Sequence, residues 1–155
     1  MLKTTLTISA AALAATLSTG CVHDGGPTLF PNPDPNLRMT SEQFAANAAK
    51  RVYPASARKA KEPKARAQAA YSLNRLEVVN FTGEAWRDVE VWVNGTHVCH
   101  VPVMEDRKLK EVHFPMLFDQ NGNNFPLDNK RVRVNRVEVF RNGVLYELVC
   151  HNADW

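Results

Sequence analysis

Two Asn-Gly pairs, each set between alternating apolar stretches, constrain this chain more than any other feature of it. The first unit reads Val89-Glu90-Val91-Trp92-Val93, then Asn94-Gly95, then Thr96-His97-Val98-Cys99-His100-Val101. The second reads Val137-Glu138-Val139-Phe140-Arg141, then Asn142-Gly143, then Val144-Leu145-Tyr146-Glu147-Leu148-Val149-Cys150. A two-residue hairpin turn that matches the twist of its strands needs positive φ at both central positions, and Asn followed by Gly adopts this at the least steric cost. Valine and aromatic residues at every second position then give each strand one face for a core. A chain carrying two such units is committed to antiparallel β-structure there.

Further strands are expected over residues 73–81, 109–114 and 131–134, the last continuous with the second hairpin. Nothing alternates strands with long helices, so a parallel α/β architecture is not expected. Residues 71–155 are therefore read as an all-β domain, a small antiparallel β-sandwich of about six or seven strands. Within it, Val78-Val79-Asn80-Phe81-Thr82 is followed by Trp86-Arg87-Asp88-Val89-Glu90-Val91-Trp92-Val93-Asn94. This pattern resembles the opening of small immunoglobulin-like envelope domains, both of the FxLYD type and of bacterial lipoproteins of similar build. In those, a strand ending in Asn-x-Thr or Asn-x-Ser leads to one opening with Asp-Val-x-Val. The resemblance implies a fold and an envelope location, and no activity.

Residues 1–20 read as a signal peptide. Met1-Leu2-Lys3 is a short cationic start, an apolar run extends from Leu6 to Leu17, and Ser18-Thr19-Gly20 is a small-residue exit. The run is shorter than the ~20 apolar residues a spanning helix needs. Leu17-Ser18-Thr19-Gly20-Cys21 resembles a bacterial lipobox, which implies cleavage before Cys21 and lipidation of that cysteine. Ser18 stands where the pattern prefers a large aliphatic residue, and ordinary cleavage leaving a free cysteine is the alternative. Val22 implies, by the same resemblance, the outer membrane rather than the inner. Several acyl chains hold a protein firmly where one does not, so the membrane is an expected partner through Cys21. Export also makes disulfides permissible.

Between anchor and domain, residues 21–39 are rich in proline and glycine and read as an extended linker. Residues 40–70 read as a basic, alanine-rich tether, helical or partly disordered. Thr40-Ser41-Glu42-Gln43 has the form of a capping box, and Phe44, Ala45, Ala48, Ala49 and Val52 make a modest apolar stripe ending before Pro54. Residues 37–70 hold eight Lys/Arg against two acids, whereas residues 71–155 hold ten against twelve. The formal net charge of +3 thus resides in the tether. A basic strip beside a lipid anchor is drawn to anionic headgroups or to acidic wall polymers; a solvated linker is the plainer alternative. No nucleic-acid partner is expected.

Candidate chemistry is sparse. With Cys21 committed to lipid, Cys99 and Cys150 remain, an even number in an oxidising compartment. Each comes late in the second strand of an Asn-Gly hairpin, so a disulfide between them would staple the hairpins, at about 2–4 kcal/mol; two buried thiols are the alternative. His97-x-Cys99 puts two ligand types on one strand face. Cys150 could add a third, and His113 or the carboxylate of Trp155 a fourth, a set zinc accepts. The usual Cys-x-x-Cys or His-x-x-x-His spacing is absent, and no metal or other cofactor is expected. Side chains two apart on a strand stand roughly 6.5 Å apart, too far for His97 to activate Cys99. Ser72 lacks nucleophile-elbow glycines, so no catalytic residue is assigned. Asp119-Gln120-Asn121-Gly122-Asn123-Asn124 offers one acid where a calcium loop brings several, and reads as a turn.

A two-residue turn at Asn94-Gly95 sets Trp92 opposite His97, away from Val91 and Val98. Exposed, the pair would stack on a sugar ring or a partner side chain; buried, Trp92 is core. The sequence thus reads as a lipid-anchored, non-catalytic cell-envelope module whose partner is an envelope protein or wall polymer. The alternative is a metal- or glycan-binding module using His97, Cys99, Cys150 or Trp92.

Overall fold

A computed structural model describes residues 28–127 and 132–153. The expected export signal over residues 1–20, Cys21 and Trp155 lie outside the described residues. Among the described residues seven strands, β1 (Arg58–Ala70), β2 (Arg75–Asn80), β3 (Trp86–Val93), β4 (His97–Met104), β5 (Leu109–His113), β6 (Val137–Arg141) and β7 (Val144–Asn152), accompany one α-helix, α1 (Ser41–Ala49). The protein is all-β. The strands form one sheet in the order β4-β3-β6-β7-β1-β2-β5. Every neighbouring pair is antiparallel except β1 and β7. The two edge strands, β4 and β5, are consecutive in the chain, joined by residues 105–108, so the sheet curls back toward itself and is nearly barrel-like.

Both Asn-Gly units form hairpins, but their registers differ. Asn142 (φ 49°) and Gly143 (φ 74°) make a tight turn with Arg141 paired to Val144. Asn94 (φ 54°) and Gly95 (φ 70°) take the same conformation, and the Thr96 amide donates to the Val93 carbonyl at 3.1 Å. Yet Val93 then pairs with His97, not with Thr96. Thr96 is one extra residue, and a single insertion moves every later partner by one. Trp92 therefore pairs with Val98, which corrects the expected Trp92–His97 pairing. Asn94 also holds the segment before β6: its Nδ2 donates to the Arg133 carbonyl (2.7 Å), and its Oδ1 accepts from the amides of Asn135 (2.8 Å) and Arg136 (3.2 Å). Residues 132–134, expected as strand, are instead an irregular approach fixed by that side chain.

The largest departure from expectation is β1. Read from sequence as part of a tether, residues 58–70 form the longest strand, inside the sheet between β7 and β2. Ala65, Ala67 and Ala69 are buried, while Lys64, Arg66 and Gln68 are exposed, a period-two alternation with methyl-sized inward side chains. Alanine, lysine and arginine favour helices in isolation, but Pro63 interrupts any helix here. Pairing on both sides supplies hydrogen bonds that propensity alone does not weigh. Pro63, which has no amide to donate, falls where the β1–β7 register shifts, between Glu62 and Arg66.

Upstream, α1 has the expected capping box: the Gln43 amide donates to Thr40 Oγ1 (3.3 Å) and the Thr40 amide to Gln43 Oε1 (2.9 Å). It buries Phe44 and Ala48 and contacts β4. The described part of the proline-rich segment does not stand off as a spacer but is laid on the domain. Leu37 is fully buried, the Phe30 amide donates to the Met39 carbonyl (3.1 Å), and Lys110 Nζ meets Asp34 at 2.6 Å. Asn32, itself buried, donates from Nδ2 to the Glu111 carbonyl of β5 at 3.0 Å. At the other edge, the Val98 amide of β4 donates to the Phe118 carbonyl at 2.9 Å. Each open edge is thus partly occupied by its own chain, which guards against pairing with another.

Candidate functional site

Cys99 on β4 is buried, Cys150 on β7 is partly so, and both are free. β3 and β6 lie between their strands, a step of roughly 14 Å across the sheet, whereas a disulfide needs Cα atoms within about 7 Å. The hairpins lie side by side in one sheet rather than face to face, so the expected staple is not formed. Burial pushes the Cys99 thiol up to about 12, against the opposing pull of Arg51, and burial also raises that of Cys150. Neither is poised as a thiolate at neutral pH.

His97 is half-buried at the start of β4, its ring edge-on to Phe125 with centroids 5.3 Å apart and its Nδ1 2.9 Å from Thr96 Oγ1. Burial lowers its pKa, opposed by Asp119 and a hydrogen bond to the Asn124 backbone. His113 lies on β5 with Nε2 3.7 Å from Glu111. Cys150 is three strands from Cys99 in the sheet order. Among the described residues no group of three or more His, Cys, Asp or Glu is gathered to hold a metal ion. The Asp119 carboxylate accepts from the Asn121 and Asn123 amides and from Asn123 Nδ2 at 2.8–2.9 Å, which closes the loop as a turn.

Trp92 is fully buried. Its Nε1 donates to Glu90 Oε2 at 3.0 Å, and Tyr53 packs edge-on at 5.4 Å between centroids. The Tyr53 hydroxyl donates to Glu138 at 2.9 Å, Arg136 pairs with Glu138 at 3.1 Å, and Arg51 pairs with Glu90 at 3.3 Å. Trp92 and Glu138 are direct partners across β3 and β6. Burial, then Glu138, raises the Tyr53 hydroxyl above its ordinary value. A Cβ on Gly95 would come within 2.8 Å of Arg136 Nη2, so even the turn is fitted to this cluster. The network clamps residues 51–53 onto the sheet and leaves Trp92 no open ring face for a sugar. Sequence reading missed it. The available signal was Glu90 and Glu138 at alternate positions of valine-rich strands, each on the face carrying Trp92.

Two of the solvent-open grooves formed by the described residues are lined by charged side chains. One of about 550 Å³ is lined by Asn32, Asp34, Arg87, Lys108, Lys110 and Glu111 among others. Its charges are partly satisfied internally, Lys110 by Asp34 and Lys108 by Glu105 (2.5 Å). The second, about 310 Å³, lies at the β1 irregularity and is lined by Lys61, Glu62, Pro63, Arg136, Glu147 and Cys150 among others.

A different feature is the outer face of β7-β1-β2-β5. Register places Val149, Arg66, Val79 and Leu109 in one cross-strand row. Val149 is 42% exposed, Leu109 49%, and Phe81, just beyond β2, 46%. The Phe81 amide donates to the Lys64 carbonyl at 2.7 Å, bringing that ring beside the basic stretch of β1. Three apolar side chains thus stand uncovered around Lys64 and Arg66. Comparison of the chain with protein-family models, with curated proteins and with solved structures found no match.

Proposed function

We propose that this chain is a lipid-anchored cell-envelope β-domain, held in the membrane through Cys21, that acts without catalysis by contact with other envelope components. The observation that carries the reading is the N-terminal sequence, with its cationic start, short apolar run and Leu17-Ser18-Thr19-Gly20-Cys21 exit. The domain's polar interior agrees with a structural role, because Glu138, Glu90, Tyr53, Arg51 and Arg136 are engaged with one another. Its fold is read as a small immunoglobulin-like sandwich, with β4-β3-β6 and β1-β2-β5 as layers joined through β7. In support, Val89, Val91 and Val101 share one buried cluster with Ala67, Leu76 and Val78. The partner is an envelope protein or a wall polymer, and the outer membrane is the expected location.

The test is the intact mass of the full chain expressed in a bacterium and recovered from membranes. A polypeptide beginning at Cys21 and carrying acyl chains supports the reading. A bare polypeptide, or cleavage at another bond, overturns it.

A further inference from the structure

We propose that the outer face of β5-β2-β1-β7 is a membrane-contact surface that lies on the anionic phospholipid headgroups of the bilayer holding the chain. The proposal builds on the lipid-anchor reading and adds the face that touches the bilayer.

Three observations converge. The first is the apolar row itself: Val149, Val79 and Leu109 side by side with Phe81 adjoining, all but Val79 more than two-fifths exposed. The second is charge. Arg66 stands exposed in that row and Lys64 exposed beside it, next to Phe81, and among the described residues neither enters a salt bridge. Acids share the face: Arg75 is divided between Glu77 (2.6 Å) and Glu111 (2.8 Å), Glu147 lies opposite Lys61, and a Glu62 carboxylate oxygen accepts from the Lys64 amide at 3.2 Å. Within the apolar row itself the charged residue is Arg66, and Lys64 adjoins it beside Phe81. Exposed aliphatic and aromatic groups among unpaired cations are the composition of a surface that settles into an anionic headgroup layer.

The third observation is where the chain enters. Residues 30–38 cross the β5 edge, tied by Asn32 to the Glu111 carbonyl and by Asp34 to Lys110. Cys21 precedes Phe30 by nine residues, a reach of at most roughly 31 Å fully extended. An anchor at Cys21 would therefore keep the β5 edge within about 31 Å of the bilayer. A second copy stacked on the same face would set Arg66 near its own counterpart, a like-charge contact that disfavours self-association there.

The experiment uses the mature chain with Cys21→Ser, so that binding is read without the acyl chains, in flotation with vesicles. Vesicles containing phosphatidylglycerol should carry the protein with at least about tenfold higher partition than phosphatidylcholine vesicles, and added salt should erode the difference. The double variant Lys64→Glu/Arg66→Glu should lose at least about tenfold in partition. Phe81→Ser/Leu109→Ser should weaken binding while leaving its salt slope unchanged. Lys50→Glu/Arg133→Glu, which reverses two exposed cations elsewhere, should bind like the parent; matched circular dichroism confirms that each variant is folded.

Equal partition into both vesicle types, or an equal loss in the Lys50/Arg133 variant, overturns the assignment. So does binding to a soluble acidic polymer without vesicle binding. The intact mass of the parent chain reports on the anchor separately, so failure of the anchor and failure of the face are distinguishable.

Discussion

Ala67→Asp and Gln68→Asp are neighbouring changes that separate a core strand from a basic tether. Ala67 is 1% exposed on the inner side of β1, while Gln68 is exposed on the outer side. In a solvated tether, either change would fall within about 0.5 kcal/mol of neutral. In the strand, Ala67→Asp takes a carboxylate from water to a site lined by apolar neighbours, and the effective penalty after relaxation is several kcal/mol. Taking about 4 kcal/mol and a urea slope of ~2 kcal/mol/M, the unfolding midpoint should fall by about 2 M. That is a large part of the roughly 5–15 kcal/mol typical of a whole domain. Trp86 and Trp92 are both buried and provide the fluorescence signal. A gentler pair keeps the comparison quantitative if Ala67→Asp fails to fold. Ala67→Gly loses a buried methyl (about 0.8 kcal/mol) in addition to the backbone-entropy cost, whereas Gln68→Gly carries mainly the entropy cost, about 0.5–1 kcal/mol. Equal midpoints within each pair would refute the placement of β1 inside the sheet.

Asn94→Ala removes a residue suited to φ 54° and its hydrogen bonds to Arg133, Asn135 and Arg136; a loss of about 2–3 kcal/mol is expected in chemical denaturation. Tyr53→Phe deprives the buried Glu138 carboxylate of a donor, and should cost about 1–3 kcal/mol by the same measurement. Burial holds His97 and His100 below their ordinary pKa of 6.5. The unfolded chain therefore takes up protons first on acidification, and this contribution is full above pH 6.5 and declines as pH falls through it. Calorimetric melts between about pH 7 and 5 should show the decline, and His97→Phe should make it shallower. In native buffer, Cys99 should resist a maleimide until the chain is unfolded, and the mass of the oxidatively produced domain should not change with reductant.

What the sequence disclosed depended on how locally each feature is encoded. The Asn-Gly turns and the capping box at Thr40 and Gln43 are properties of a few adjacent residues, and they stand where they were expected. Register was not readable from the turn alone: Thr96 satisfies a two-residue turn through its amide and then drops out of the pairing. That one residue separates His97 from Trp92. β1 was hidden because its inward residues are alanines, too small to give the apolar contrast that marks a strand, while its neighbour β7 lies far along the chain. The Tyr53–Glu138 contact spans 85 residues, and no local pattern announces such a pairing.

The same geometry limits how the domain can make contacts. A sheet that nearly closes has two ways to recruit a partner, through its open edges or through a face. The edges are engaged, β5 at Asn32 and β4 at Phe118, so strand addition would first have to displace the chain's own segments. The face over β3 and β6 near Trp92 is covered by Tyr53 and Arg51. This leaves the outer face of β7-β1-β2-β5, where Val149, Leu109 and Phe81 remain exposed around Lys64 and Arg66. On the proposed lipidation of Cys21, docking of the 30–38 segment places the domain nine residues from the anchor, and a short lead would favour contacts close to the anchor over distant ones. A partner bound by this domain should therefore be found at the membrane surface. Lengthening the lead with a flexible insert after Gly26 should weaken bilayer contact of the lipidated chain, while leaving the stability of the isolated fold unchanged.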